Sequence, residues 1–90
     1  MCELNETEKK IVALGNECLK DFGEGKSFAE KKEQFVGLVR TAGVINVRLL
    51  YFAKMVMNSF RYTESSGTAR GVYQKKIDFY ASNGGAKYVL

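Results

Sequence analysis

The segment between residues 46 and 61 constrains this chain most, because it is apolar on almost every side. On a helical wheel its large apolar side chains cover nearly the whole circumference: Val47, Leu49, Leu50, Tyr51, Phe52, Met55, Val56, Met57 and Phe60. A helix without a polar face must be buried on all sides. We therefore predict a helix over residues 46–61 that is either central in the fold or packed against a second subunit.

The length of the chain favours contact with a second copy. A protein of 90 residues buries a smaller share of its surface on folding than a larger domain does. It can hardly supply enough chain to cover every face of a central helix. We therefore predict self-association as a homodimer, through four side chains of this segment: Val47, Leu50, Tyr51 and Met55.

Two amphipathic segments precede the apolar one. Their spacing of apolar residues predicts helices over residues 5–22 and 28–41. Capping boxes and glycines mark their ends: Asn5 with Glu8, Ser27 with Glu30, Gly23 and Gly43. Since the chain contains no proline, no helix is forced to stop elsewhere.

The C-terminal segment allows two structures. Helical spacing groups Ala69, Val72, Tyr73, Ile77 and Tyr80 on one face, which predicts a fourth helix over residues 68–82. The alternative is a β-hairpin that pairs residues 77–82 with 86–90 across Asn83-Gly84, a dipeptide typical of tight turns. The predicted fold is mainly α: one domain over residues 1–90, a bundle of three to four helices, with the hairpin as the alternative to the last helix.

The residue inventory argues against catalysis. The chain contains no histidine, so its serines and cysteines lack the usual activating base. The two cysteines, Cys2 and Cys18, are too few for a zinc site of four thiolate or imidazole ligands, and we interpret them as reduced thiols. We expect no enzyme activity, no catalytic residue, no metal site and no cofactor.

The N-terminus is acidic and no apolar stretch follows it, which is unlike a signal peptide. The longest nearly apolar run, residues 49–57, is interrupted by Lys54 and is too short to span a bilayer. We therefore expect a cytoplasmic protein that does not enter a membrane.

Positive charge is concentrated in the second half of the chain. Residues 1–45 contain seven basic and eight acidic side chains, a net charge of −1, whereas residues 46–90 contain seven basic and two acidic ones, a net charge of +5. Basic residues alternate with tyrosines there, and six of them form the predicted partner-binding set: Arg61, Tyr62, Arg70, Lys75, Lys76 and Lys87. This composition fits a protein interface or contact with single-stranded nucleic acid, and tyrosines at helical spacing also fit a core.

Residues 38–49 resemble a helix-turn-helix motif. In that family a glycine in the turn is followed by a β-branched residue and, six and nine positions later, by buried apolar residues; Gly43, Val44, Leu49 and Phe52 fit, while Val39 stands where alanine is usual. The resemblance implies DNA binding through the second helix. However, Val47, Leu50 and Tyr51 occupy positions that should face the groove, which favours an ordinary helical hairpin.

The absence of catalytic groups and the basic second half predict a binding function. We expect a non-catalytic regulator or inhibitor that occupies or bridges a macromolecular partner, most simply a protein. By analogy, inhibitors made by phages and mobile elements share this size and this lack of catalytic residues. The alternative is a nucleic-acid-binding protein that uses the basic aromatic half or the helix-turn-helix-like segment.

Overall fold

The computed structural model describes residues 4–44 and 46–89. In chain order these residues form α1 (Glu6–Glu24), α2 (Ala29–Ala42), α3 (Val47–Glu64) and α4 (Thr68–Ser82), followed by a short 3₁₀ turn (Gly85–Tyr88). The prediction of a small, mainly helical bundle is confirmed. Among the described residues, no helix has the length and apolarity that a membrane span requires. Cys2 lies outside the described residues.

α3 is the central helix. It packs against the other three helices and the 3₁₀ turn. Its buried side chains include Leu49, Phe52, Val56 and Phe60, and they meet core residues of α1 and α2 such as Ile11, Cys18 and Phe35. The apolar circumference of α3 is therefore covered on most sides within one chain. α1 and α2 pack against one part of it, and α4 and the 3₁₀ turn pack against another.

Single residues determine where α1 begins and how closely it approaches α3. The capping box is present: Glu8 N–H donates to Asn5 Oδ1 at 2.8 Å, and Asn5 N–H donates to Glu8 Oε1 at 3.0 Å. At the crossing, a Cβ on Gly15 would lie 2.5 Å from a ring carbon of Phe52. α1 continues to Glu24 and is capped by Gly25 at φ +71°, so the predicted end at Gly23 is wrong by two residues.

The predicted capping box of α2 is wrong. Phe28 occupies the N-cap position and no side chain caps the helix. The ring of Phe28 is 5% exposed and packs against Phe22 and Phe60. Burial of this ring, rather than a hydrogen bond from Ser27, fixes the point at which α2 begins. At its other end, α2 is followed by Gly43 at φ +55°, as the sequence predicts.

The C-terminal hairpin is not formed: residues 68–82 are helical throughout, and the described residues that follow them contain no strand. Leu90, the last residue of the hairpin alternative, lies outside the described residues. Gly84 takes a positive φ of 117° and turns the chain back, so that Gly85 fits against α3. Asn16 Nδ2 then donates to the Tyr88 carbonyl at 2.9 Å. Tertiary contact with α1 and α3 thus outweighs the turn preference of Asn83-Gly84.

Candidate partner-binding surface

The positive charge of the second half is exposed and forms no ion pair with another described residue. Its seven basic residues are Arg48, Lys54, Arg61, Arg70, Lys75, Lys76 and Lys87. All seven are exposed. The ion pairs within residues 4–44 and 46–89 join Lys9 to Glu6, Lys26 to Glu24, Lys31 to Asp21 and Lys32 to Glu64. Each of these pairs uses a lysine of the first half, so the cations of the second half are available to an anionic partner.

Four of these cations lie over tyrosine rings. The distances from cation to ring centroid are 5.8 Å for Lys54 and Tyr80, 5.2 Å for Arg70 and Tyr62, 5.6 Å for Lys76 and Tyr73, and 6.0 Å for Lys87 and Tyr88. Attraction between a cation and the negative face of the ring favours these positions. All four tyrosines are half-buried. Their ring faces are therefore partly occupied, which leaves little area for stacking on bases.

α4 presents two exposed apolar side chains among lysines. Val72 is 53% exposed and Phe79 is 56% exposed. Lys75 and Lys76 lie between them at helical spacing, so the four residues share one side of α4. We call them the α4 outer face.

The opposite side of α4 contacts α3. Ile77 is buried there, and the centroids of the Tyr51 and Tyr80 rings are 5.3 Å apart. The sequence places Val72 on this inner side, and that assignment is wrong. The spacing of Val72 and Phe79, seven residues apart with two lysines between them, is the sequence signal that would have identified the outer face.

The six predicted partner-binding residues do not form one patch. Lys75 and Lys76 belong to the α4 outer face, and Arg61 is exposed in the last turn of α3. Arg70 and Tyr62 meet where α3 and α4 are joined. Lys87 lies on the 3₁₀ turn, beyond the other end of α4. Since a helix rises about 1.5 Å per residue, Arg70 lies roughly 18 Å from Ser82, the last residue of α4, and Lys87 follows that end.

The four residues predicted to mediate self-association also differ in exposure. Val47 is 57% exposed and Met55 is 6% exposed, and Leu50 and Tyr51 are half-buried. The 3₁₀ turn covers Met55 at Gly85. α3 can therefore contact a second copy through Val47 and through the exposed parts of Leu50 and Tyr51.

The helix that a helix-turn-helix protein would insert into DNA is α3. Here α1, α4 and the 3₁₀ turn all pack against it, and the ring of Tyr80 lies against that of Tyr51. A recognition helix needs an exposed polar face. This enclosure favours the helical hairpin over the motif.

A groove that the sequence did not indicate lies between the α1–α2 loop and the junction of α3 with α4. Its volume is about 460 Å³. Its aromatic and charged lining residues are Phe22, Phe28, Phe60, Tyr62, Lys26, Lys32, Glu64 and Arg70. These residues come from separate segments, so no local pattern in the sequence brings them together.

Cys18 is fully buried, and burial raises the pKa of its thiol to about 11. A thiol that stays protonated at neutral pH is a poor nucleophile and metal ligand. Beside it, the side chains of Lys31 and Asp21 form an ion pair at 2.6 Å, and the hydrogen bond to Asp21 raises the pKa of Lys31. No cluster of three or more cysteine or carboxylate side chains among the described residues could hold a metal ion.

Neither the known protein-family models nor the curated proteins and solved structures contain a significant match to this chain.

Proposed function

We propose that this protein is a non-catalytic regulator or inhibitor that binds an acidic protein surface through the α4 outer face. The observation that carries the proposal is the arrangement on α4, where Val72 and Phe79 are more than half exposed with Lys75 and Lys76 between them. Apolar centres flanked by charges are typical of protein interfaces. The partner contributes an apolar pocket for Phe79 and carboxylates for the lysines.

Charge complementarity supports an acidic partner. Lys75 and Lys76 have no carboxylate partner among residues 4–44 and 46–89. The acidic side chain on α4, Asp78, accepts a hydrogen bond from Gln74 at 3.1 Å. An acidic surface would be steered toward this side of the bundle and held in register by the lysines.

Nucleic-acid binding is the second candidate. It is favoured by the exposed cations of the second half, which form no ion pair with the residues that the structure describes. Phosphates would be neutralised by the same side chains. Stacking is less well supported, because the tyrosines are half-buried and lie under cations. Phe79 is exposed, but a single ring offers a small stacking platform.

The test compares charge reversals on two sides of the molecule. In Lys75→Glu/Lys76→Glu the α4 outer face loses its cations, whereas the matched control Lys10→Glu/Lys20→Glu changes the same number of charges at exposed positions of α1. The immobilised proteins are exposed to extract from the cells that produce the protein, with and without nuclease. Retention of one protein by the wild type and the control, its loss with the α4 variant and its indifference to nuclease would support the proposal.

The variant Phe79→Ala separates the apolar contribution from charge. Aromatic anchors at the centre of an interface carry much of the binding energy. Loss of the captured protein with Phe79→Ala, at unchanged helicity, is the expected result. Submicromolar binding of a single-stranded or duplex oligonucleotide at about 150 mM salt, lost in Lys75→Glu/Lys76→Glu but kept in Phe79→Ala, would overturn the proposal in favour of nucleic acid.

A further inference from the structure

The groove at the junction of α3 and α4 has the size of a small-molecule site. Its volume of about 460 Å³ falls within the ~300–1,000 Å³ typical of ligand pockets. It opens near the first turn of α4, whereas Phe79 of the α4 outer face lies in the last turn. The groove is therefore separate from the surface that serves the proposed function.

Aromatic rings form its apolar part. Phe28 and Phe60 are 5% and 3% exposed, with ring centroids 5.1 Å apart. Phe22 and Tyr62 are half-buried and meet edge to face at 5.2 Å. Ring edges and faces arranged in this way favour another flat aromatic group.

The cations that line the groove are not equivalent. Lys26 is paired with Glu24 and Lys32 with Glu64. Arg70 has no carboxylate partner within residues 4–44 and 46–89. It is the groove cation whose charge is not already compensated.

The Arg70 side chain is also held in place. Its Nε–H donates to the Ser65 carbonyl at 2.8 Å, and the guanidinium lies over the Tyr62 ring at 5.2 Å. These contacts leave the terminal guanidinium nitrogens without a hydrogen-bond partner among the described residues. A guanidinium fixed in this way is suited to a carboxylate, which it binds through two parallel hydrogen bonds.

We propose that the groove binds an aromatic carboxylate, with the ring of the ligand among Phe22, Phe28 and Tyr62 and its carboxylate on Arg70. Two sources share this chemistry: a free aromatic acid, and the C-terminal residue of a peptide that ends in phenylalanine or tyrosine.

The experiment titrates the intact protein with N-acetylphenylalanine and, as a matched control, with N-acetylphenylalanine amide, which lacks the carboxylate. Backbone amide shifts in a two-dimensional NMR spectrum report binding at Ser27, Ala29 and Thr63, which line the groove. We expect saturable shifts and at least tenfold tighter binding of the acid than of the amide.

Variants assign the contact. Arg70 is exposed, so Arg70→Gln should keep the fold and reduce the affinity for the acid to that for the amide. Lys75→Gln, also exposed on α4, should leave both affinities unchanged. Ala29→Trp places a ring in the groove from an exposed position and should abolish binding of both compounds.

Two further probes separate the sources. If 3-phenylpropionate binds at least as tightly as the peptide Gly-Gly-Gly-Phe, the ligand is a free acid, and if the peptide binds tighter it is a C-terminus. Equal binding of acid and amide, or no saturable shift at about 10 mM acid, would overturn the proposal. These two outcomes test Arg70 and the groove alone. They are therefore independent of the charge-reversal variant Lys75→Glu/Lys76→Glu, which tests the proposed function.

Discussion

Gly85 lies so close to Met55 that a Cβ on the glycine would come within 2.7 Å of the Met55 sulfur. The same Cβ would lie 2.9 Å from the Tyr80 carbonyl oxygen and 3.0 Å from the Phe52 backbone nitrogen. Met55 could shift, but the two backbone atoms are less free to do so. This contact places the 3₁₀ turn on α3. The turn thereby covers part of the apolar surface of α3 that α1 and α2 do not contact.

Gly85→Ala should therefore lower the free energy of unfolding by about 1–3 kcal/mol, as overpacking commonly does. The control is Gly71→Ala in α4, where an added Cβ meets nothing within 4 Å. That change should raise stability by roughly 0.5–1 kcal/mol, because alanine is the better helix former. Chemical denaturation of both variants measures the difference. Equal stability of the two would contradict the packing described for Gly85.

α4 should be less protected from amide exchange than α3, the central helix. Ile77 is its one buried side chain, whereas α3 is buried along much of its length. Segments with few buried apolar contacts open at lower free energy. Amide hydrogen exchange should be at least roughly tenfold faster in α4 than in α3. Similar protection in both helices would contradict this prediction.

Ile77→Ala should release α4 from α3. Removal of a buried Ile side chain costs about 2–5 kcal/mol, so exchange in α4 should rise further in this variant. The matched control is Val72→Ala on the exposed side of the same helix, which should change stability by less than about 0.5 kcal/mol. A large loss of stability in the control would place Val72 in the core and remove it from the α4 outer face.

Alkaline pH should destabilise the protein through Cys18. Burial raises the pKa of this thiol from 9.0 to about 11, so the folded state holds the proton more tightly than the unfolded state. The resulting stabilisation is complete below pH 9 and is lost as pH rises through about 11. A shift of this size corresponds to about 2–3 kcal/mol. The free energy of unfolding should therefore fall more steeply across this range in the wild type than in Cys18→Ala, and parallel curves would contradict the assignment.

Self-association through α3 remains a prediction, and Val47 provides its sharpest test. Val47 lies in the first turn of α3 and is exposed. Val47→Glu should not destabilise the monomer, since an acidic residue is favourable at a helix N-terminus. Sedimentation equilibrium should find a dimer of the wild type at micromolar concentration and a monomer of the variant at unchanged helicity. A monomeric wild type would show that α4 and the 3₁₀ turn cover α3 sufficiently.

Salt dependence distinguishes the two proposed partner classes. Four or five phosphate contacts to a duplex would reduce affinity roughly 150- to 500-fold between about 50 and 200 mM salt, because bound counterions are released. A protein interface centred on Phe79, with lysines at its rim, should lose far less affinity and show its salt dependence mainly in the association rate. We expect the smaller effect for the captured partner. A steep logarithmic slope would favour nucleic acid.

The sequence by itself determined that the fold is mainly helical, that α1 begins after Asn5 and, to within three residues, where α2 and α3 lie, because apolar spacing and caps such as Asn5 with Glu8 act within three or four residues. It did not determine the start of α2, which depends on burial of Phe28 against Phe60. Nor did it exclude the hairpin, because the choice of the helix and the 3₁₀ turn over strands depends on the packing of Gly85 against Met55. The groove and the pairing of cations with tyrosines likewise join residues from separate segments. Such contacts depend on how helices pack, and the tertiary structure alone decided them.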